Sequence, residues 1–265
     1  MANIYETIYP KFKKEFSYAE LNEIYTPTDA EFALAEKVTK RKGTKLCFLI
    51  TLKCFQRLGY FVTFSNIPEP IISHISKCIN INMTNSTIKT YDNSDTRLRH
   101  LQIIRAFLEV LSFDSKARHL IVVAIGKAAK TKEEPTDLIN IAIEELIKNS
   151  YELPAFSTIE RAVNRIRVSV NRSFYRKIFD SLNEEEVNKI NNLLENDEDL
   201  KSTPWNMIKR EPSSPTLNHL REIVSQLSWL KEQSIAVTAL QEIPYVKIKQ
   251  FSLEAKALKE KKMRE

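Results

Sequence analysis

Only three glycines, Gly43, Gly59 and Gly126, occur in 265 residues. So few residues able to take a positive φ leave no room for a Gly-rich phosphate loop and argue against a series of tight β-hairpins. The expectation is an all-α chain of tandem helical modules. Helix starts are plentiful: Ser17 with Glu20 and Thr28 with Glu31 have the spacing of capping boxes. Pro68-Glu69-Pro70 opens a further helix, and Asp95 caps one that carries Arg97, Arg99, His100 and Arg105. These arginines either line a binding surface or cover the outer face of their module.

Between them, Asn80 to Asp95 contains seven Asn or Thr and little that could enter a core, so it reads as a loop. The first module is expected to run over 1–112 and the second over 113–200. A Pro-rich connection with C-terminal helices near 216–232 and 245–262 would then occupy 201–265.

The second module holds the sharpest signal. Thr136, preceded by Pro135, is expected to cap an amphipathic helix that Pro154 stops. Ser157 with Glu160 then starts another after a short break, as in a helix-turn-helix. Six basic side chains follow between Ile159 and Ile178, with Glu160 the only acid among them. At about 100° per residue, Val163, Ile166, Val170 and Phe174 fall within roughly 60° of Ile159. Arg161, Arg165, Arg172 and Arg176 cluster on the other side. One face is core and the other cationic. In such a pair the first turns of the second helix enter the major groove. Ser157, Thr158, Arg161, Asn164 and Arg165 are therefore candidate base contacts, and Arg172, Arg176 and Lys177 candidate phosphate contacts.

A second basic zone lies in the first module, where no acid occurs from Lys37 to Ile67. Gly43 and Thr44 read as a stop and a cap between helices 29–41 and 45–58, the latter turning Leu46, Leu49, Ile50 and Phe55 inward. Lys40, Arg41, Lys42, Lys45, Lys53 and Arg57 are the candidate DNA-binding residues of this weaker helix-turn-helix; the alternative is an apolar core helix with basic ends. A net charge of +6 suits a polyanionic partner, and with 34 acidic residues the positive field must be local.

Cys47, Cys54 and Cys78 form no CxxC pair, and the four histidines have neither HExxH nor finger spacing. No metal and no cofactor are expected. Cys47 and Cys54 read as buried thiols suited to a reducing cytoplasm, and Glu184-Glu185-Glu186 as a solvated, dipole-complementing helix start. The apolar runs are too short to span a bilayer, so no membrane partner is expected. The rival to DNA binding is a helical protein-interaction scaffold with basic surfaces. Catalysis has no nucleophile with an evident base to rest on.

Four strings carry a family resemblance. Ile24-Tyr25-Thr26-Pro27-Thr28-Asp29-Ala30-Glu31, Phe55-Gln56-Arg57-Leu58-Gly59-Tyr60-Phe61, Leu153-Pro154-Ala155-Phe156-Ser157-Thr158-Ile159-Glu160-Arg161 and Phe251-Ser252-Leu253-Glu254-Ala255-Lys256-Ala257-Leu258 resemble, in order and spacing, the amino-terminal region of Tn-three family replicative transposases. The resemblance implies binding to double-stranded DNA at the terminal inverted repeats of a transposon, in a nucleoid-associated, cytoplasmic bacterial setting. The rest of the transposase or a second copy would be a further partner. It also implies that the Asp-Asp-Glu domain that cuts and joins strands lies outside this chain, so no catalytic residue is expected here. The polar segment 80–95 matches the family least.

Overall fold

The computed structural model describes residues 3–81, 90–195, 203–209, 214–233 and 238–257. The fold is all-α: among the described residues there is no strand, only an isolated parallel bridge between Leu111 and Tyr151. The main helices are α1 (Tyr18–Tyr25), α2 (Asp29–Val38), α3 (Lys42–Leu58), α4 (Glu69–Cys78), α5 (Asp95–Phe107) and α6 (Ser115–Ala128). They continue with α7 (Pro135–Lys148), α8 (Phe156–Asp180), α9 (Glu184–Asn192), α10 (Pro204–Ile208), α11 (Leu217–Glu232) and α12 (Tyr245–Ala257). The chain forms two compact units, one of Met1–Ile125 with Glu134–Asn164, the other of Gly126–Glu133 with Arg165–Glu265.

The first unit is built around α3. Every residue from Leu46 to Phe55 is buried. A helix apolar on all sides can be stable only where neighbours cover all sides, and α3 packs against α1, α2, α4 and α5. The expected capping boxes form at Ser17 with Glu20 and at Thr28 with Glu31. Gly59 ends α3 at φ 72°, where its N–H donates to Phe55 O at 2.7 Å, a left-handed cap that a β-carbon would strain.

Several expected boundaries move. α2 ends at Val38 because Thr39 is extended, and α3 begins at Lys42, so Gly43 and Thr44 lie in its first turn instead of separating two helices. Ser94, not Asp95, caps α5. The polar run is helical at 90–92, while residues 82–89 lie outside the described residues.

The boundary expected at 112 is not where the units divide, because residues 134–164 pack into the first unit. Leu111 N–H donates to Ser150 O (2.8 Å) and Glu152 N–H to Leu111 O (2.9 Å). Leu153 N–H donates to Gly59 O (2.8 Å), and Arg105 grips the Glu152 carboxylate with two N–H groups at 2.9 and 3.2 Å. Tyr9, 4% exposed, donates from its hydroxyl to Pro154 O at 2.9 Å and lies edge-on to Phe156.

The second unit has a polar centre. Lys247, fully buried, donates to Glu133 and to Asn171 Oδ1, and Arg167 Nε meets the same Glu133 carboxylate at 2.8 Å. Burial pushes that carboxyl up, but donation from Lys247 and Arg167 outweighs it and leaves Glu133 below the usual carboxylate range. Phe251 of α12 packs on Phe174 and Tyr175 of α8. At α9, Glu184 and Glu185 are exposed as expected, whereas Glu186 is buried because it completes a capping box with Asn183.

One buried histidine makes the fold pH-sensitive. His100 stands edge-on to Phe48, with Nδ1 2.8 Å from the Tyr91 hydroxyl, and burial lowers its pKa to about 4. A group protonated more readily when unfolded favours unfolding in acid. The contribution of His100 to stability is therefore constant above pH about 6.5, the unfolded value, and is lost as pH falls from there to about 4. In denaturant titrations across this window, His100→Gln should show a shallower loss than the wild type; an unchanged slope would show that other groups set it.

Candidate nucleic-acid interface

α8 is a continuous 25-residue helix, about 37 Å long at 1.5 Å per residue. Its two-faced character is as expected: Ile159 and Val163 are buried, and Ile166, Val170 and Phe174 are half-buried. Ser157, Arg161, Asn164, Arg165, Arg172, Arg176 and Lys177 are exposed, and Thr158 is half-buried. Arg161, Arg165, Arg172 and Arg176 fall within about 60° of one another on the helix, together with the exposed Val168 and Phe179. Ser157, Thr158, Arg161 and Asn164 belong to the first unit and Arg165, Arg172, Arg176 and Lys177 to the second, all on this one helix.

Two members of the basic cluster are committed to acids: Arg167 to Glu133 at 2.8 Å, and Lys177 to Glu242. Arg161 Nε donates back to Ser157 O at 3.0 Å, a contact within the helix that an exposed guanidinium can exchange for a ligand.

The approach to α8 differs from expectation. α7 begins at Pro135 with Glu134 at its cap, so Thr136 is not the cap, and it ends at Lys148, well before Pro154. Ser150, at φ 54°, turns the chain. Residues 149–155 then form a seven-residue connection held by Leu111, Gly59, Arg105 and Tyr9, longer than the three or four residues of a helix-turn-helix turn. No capping box forms at Ser157, because the helix already starts at Phe156, which packs on Tyr9.

In the first basic zone Lys40, Arg41, Lys42 and Arg57 are exposed. Lys45 is half-buried, paired with Glu36 at 2.9 Å and set over the Phe32 ring. Lys53, expected among the DNA-binding cations, is instead 6% exposed, with its ammonium 3.3 Å from a Glu31 carboxylate oxygen. Glu31 also accepts from Gln56 Nε2 at 2.7 Å and from Thr28 N–H at 2.8 Å. Lys53 sits mid-helix in the stretch buried all round, so it is turned to an internal carboxylate and away from any polyanion. The helix period alone could not separate it from Arg57.

The α5 cations also turn inward. Arg97 donates to Val62 O at 3.0 Å and pairs with Asp92, Arg105 holds Glu152, and His100 is buried, leaving Arg99 as the exposed member. A cleft of about 440 Å³ opens where α3 and α5 begin, lined by Arg41, Gly43, Thr44, Tyr91, Ser94 and Thr96.

Other chemistries find little footing. Cys47 and Cys54 are buried thiols outside any disulfide, each pushed up to about 12 by burial and so poorly disposed to ionise. Among the described residues no group of three His, Cys, Asp or Glu could hold a metal ion. No helix among them is long and apolar enough to cross a membrane.

Residues 4–166 match the family described as Domain of unknown function (DUF4158). The chain is 26% identical over 214 residues to "Transposase for transposon Tn501" of Pseudomonas aeruginosa, covering 80% of this chain and 21% of that protein. It is 22% identical over 217 residues to "Transposase for transposon Tn1546" of Enterococcus faecium (80% and 22%). It is 24% identical over 216 residues to "Transposase for transposon Tn3926" of Escherichia coli (79% and 21%). The chain thus spans about a fifth of the length of the curated relatives it matches.

The burial of Lys53 yields a stability test. Lys53→Met leaves the Glu31 carboxylate buried without its cation and should cost about 3–5 kcal/mol, read as a lowered denaturant midpoint. Replacing the exposed Arg41 or Lys42 by Gln should change stability by less than about 0.5 kcal/mol. Equal effects at the three positions would contradict the distinction.

Proposed function

This chain belongs to the DUF4158 family, and on that premise we propose that it is the DNA-end-recognition part of a transposase. It would bind double-stranded DNA at the terminal inverted repeats of a transposon. The observation that carries the reading is the exposed arginine stripe of α8, with Arg161, Arg165, Arg172 and Arg176 on one face and no acid in the helix from Arg161 to Lys177. Concentrated guanidinium groups on one helix face suit phosphates and guanine edges. Three relatives are named as transposases, which supports DNA as the polyanion.

In this reading the first turns of α8, with Ser157, Thr158, Arg161, Asn164 and Arg165, meet base edges, and Arg172 and Arg176 meet phosphates. Lys40, Arg41, Lys42 and Arg57 add contacts from the first basic zone; Lys45 and Lys177 can join only by giving up their acidic partners. No catalytic residue is assigned to the chain.

One observation favours a protein-contact role beside this. α11 exposes Leu217, Leu220, Val224 and Leu227 at spacings of three and four, an apolar face suited to another helix, from the rest of a transposase or a second copy.

Binding to a transposon-end duplex should fall by about 10³-fold or more between 50 and 200 mM salt if about six or more phosphates are contacted. A flat response would favour the protein-contact reading. Arg161→Ala or Arg165→Ala should reduce the ratio of specific to non-specific affinity about fivefold or more, since a bidentate Arg–guanine contact is worth about 1–3 kcal/mol. Arg172→Ala should weaken both kinds of binding together. If folded Arg161 and Arg165 variants keep the full ratio, α8 is not the recognition helix.

A further inference from the structure

We propose that the outer face of α6 is a further DNA-backbone contact, made by Lys116, Lys127 and Lys130. From Ser115 to Lys132 the chain contains no acid. Ala117, Ile121 and Ile125 are buried, and the opposite face carries Lys116, Val123 and Lys127, all exposed. Lys130, also exposed, continues the row in the turn that follows the helix.

The flanking acids are engaged elsewhere: Asp114 Oδ1 accepts from Ala117 N–H at 2.9 Å, and Glu133 holds Arg167 and Lys247. Arg118, off this row, lies over the Phe113 ring. The three lysines therefore form a line of positive charge without a neutralising acid in their own segment.

The chemistry selects the partner. The row offers ammonium groups, which act as point charges, and no planar fork or amide pair that would read a base edge. Lys116 and Lys127 are about 16 Å apart along the helix, while phosphates follow one another about every 3.4 Å of axis per strand. Such a line matches several successive phosphates of a duplex. Its neighbour is also cationic: a β-carbon on Gly126 would lie 4.0 Å from Cγ2 of Ile166, so α6 and α8 pack side by side where their backbones carry Lys127 and Arg165.

This inference rests on the DNA reading and deepens it. The test uses the full chain, a mixed-sequence DNA duplex and a range of potassium chloride concentrations. Replacing Lys116, Lys127 and Lys130 together by Gln should weaken binding and reduce the slope of log affinity against log salt by about two to three, near 0.9 per phosphate lost. As a control, Lys14, Lys77 and Lys148, exposed on other segments, replaced together by Gln remove the same charge and should leave the slope unchanged. Circular dichroism checks folding. A wild-type slope in the first variant, or an equal drop in the control, overturns the α6 contact. If the wild-type chain binds no duplex, the DNA reading falls with it; if binding depends on Arg161 and Arg165 but not on the lysines, only the α6 contact falls.

Discussion

The constraint on which the first unit depends is the desolvation of α3. A helix buried all round from Leu46 to Phe55 must take every side chain of that stretch out of water, including the one cation that the sequence places there. An isolated buried ammonium is costly, so Lys53 is tolerable only because Glu31 of α2 meets it. Glu31 is in turn fixed by the Thr28 cap and by Gln56. A local helix-capping device and a long-range ion pair thus share one carboxylate, which ties the start of α2 to the middle of α3.

The same unit positions the start of α8. The chain between α7 and α8 does not make a tight turn of its own. It is held residue by residue: Tyr151 and Glu152 beside Leu111, Leu153 on Gly59, Pro154 and Phe156 on Tyr9. The backbone groups of this segment find partners in distant parts of the chain, as buried peptide groups must. What holds the first turn of α8 is therefore a strap within the first unit, and the N-terminal segment around Tyr9 is part of that anchor.

The cations follow one rule. Those on elements buried on several sides acquire acids: Lys53 with Glu31, Arg97 with Asp92, Arg105 with Glu152, Arg167 and Lys247 with Glu133. Among the exposed cations Lys116, Lys127, Arg161, Arg165, Arg172, Arg176, Arg41 and Lys42, on α6, α8 and at the start of α3, none forms an ion pair with a described acid, whereas Lys45 and Lys177 do. Positive charge is consumed inside and left over outside, so the surface field is more segregated than a net charge of +6 suggests.

Much of this was legible in the residues. Paucity of glycine, the capping boxes at Ser17 and Thr28, and the alternation of Ile159 and Val163 with Arg161 and Arg165 rest on contacts within four residues and on the helical period, so they determined the all-α class and the cationic face of α8. The rest depended on groups far apart in the chain. Lys53 and Arg57 occupy successive turns of one helix, and only Glu31, 22 residues before Lys53, makes the first internal. Pro154 looked like the end of α7, yet Lys148 ends it, because Leu111 and Gly59 pair with the backbone that follows. Residues 134–164 join the first unit through the same contacts. Capping and periodicity are local and can be read from sequence; the partner of a buried charge or a buried peptide group is chosen by the tertiary fold.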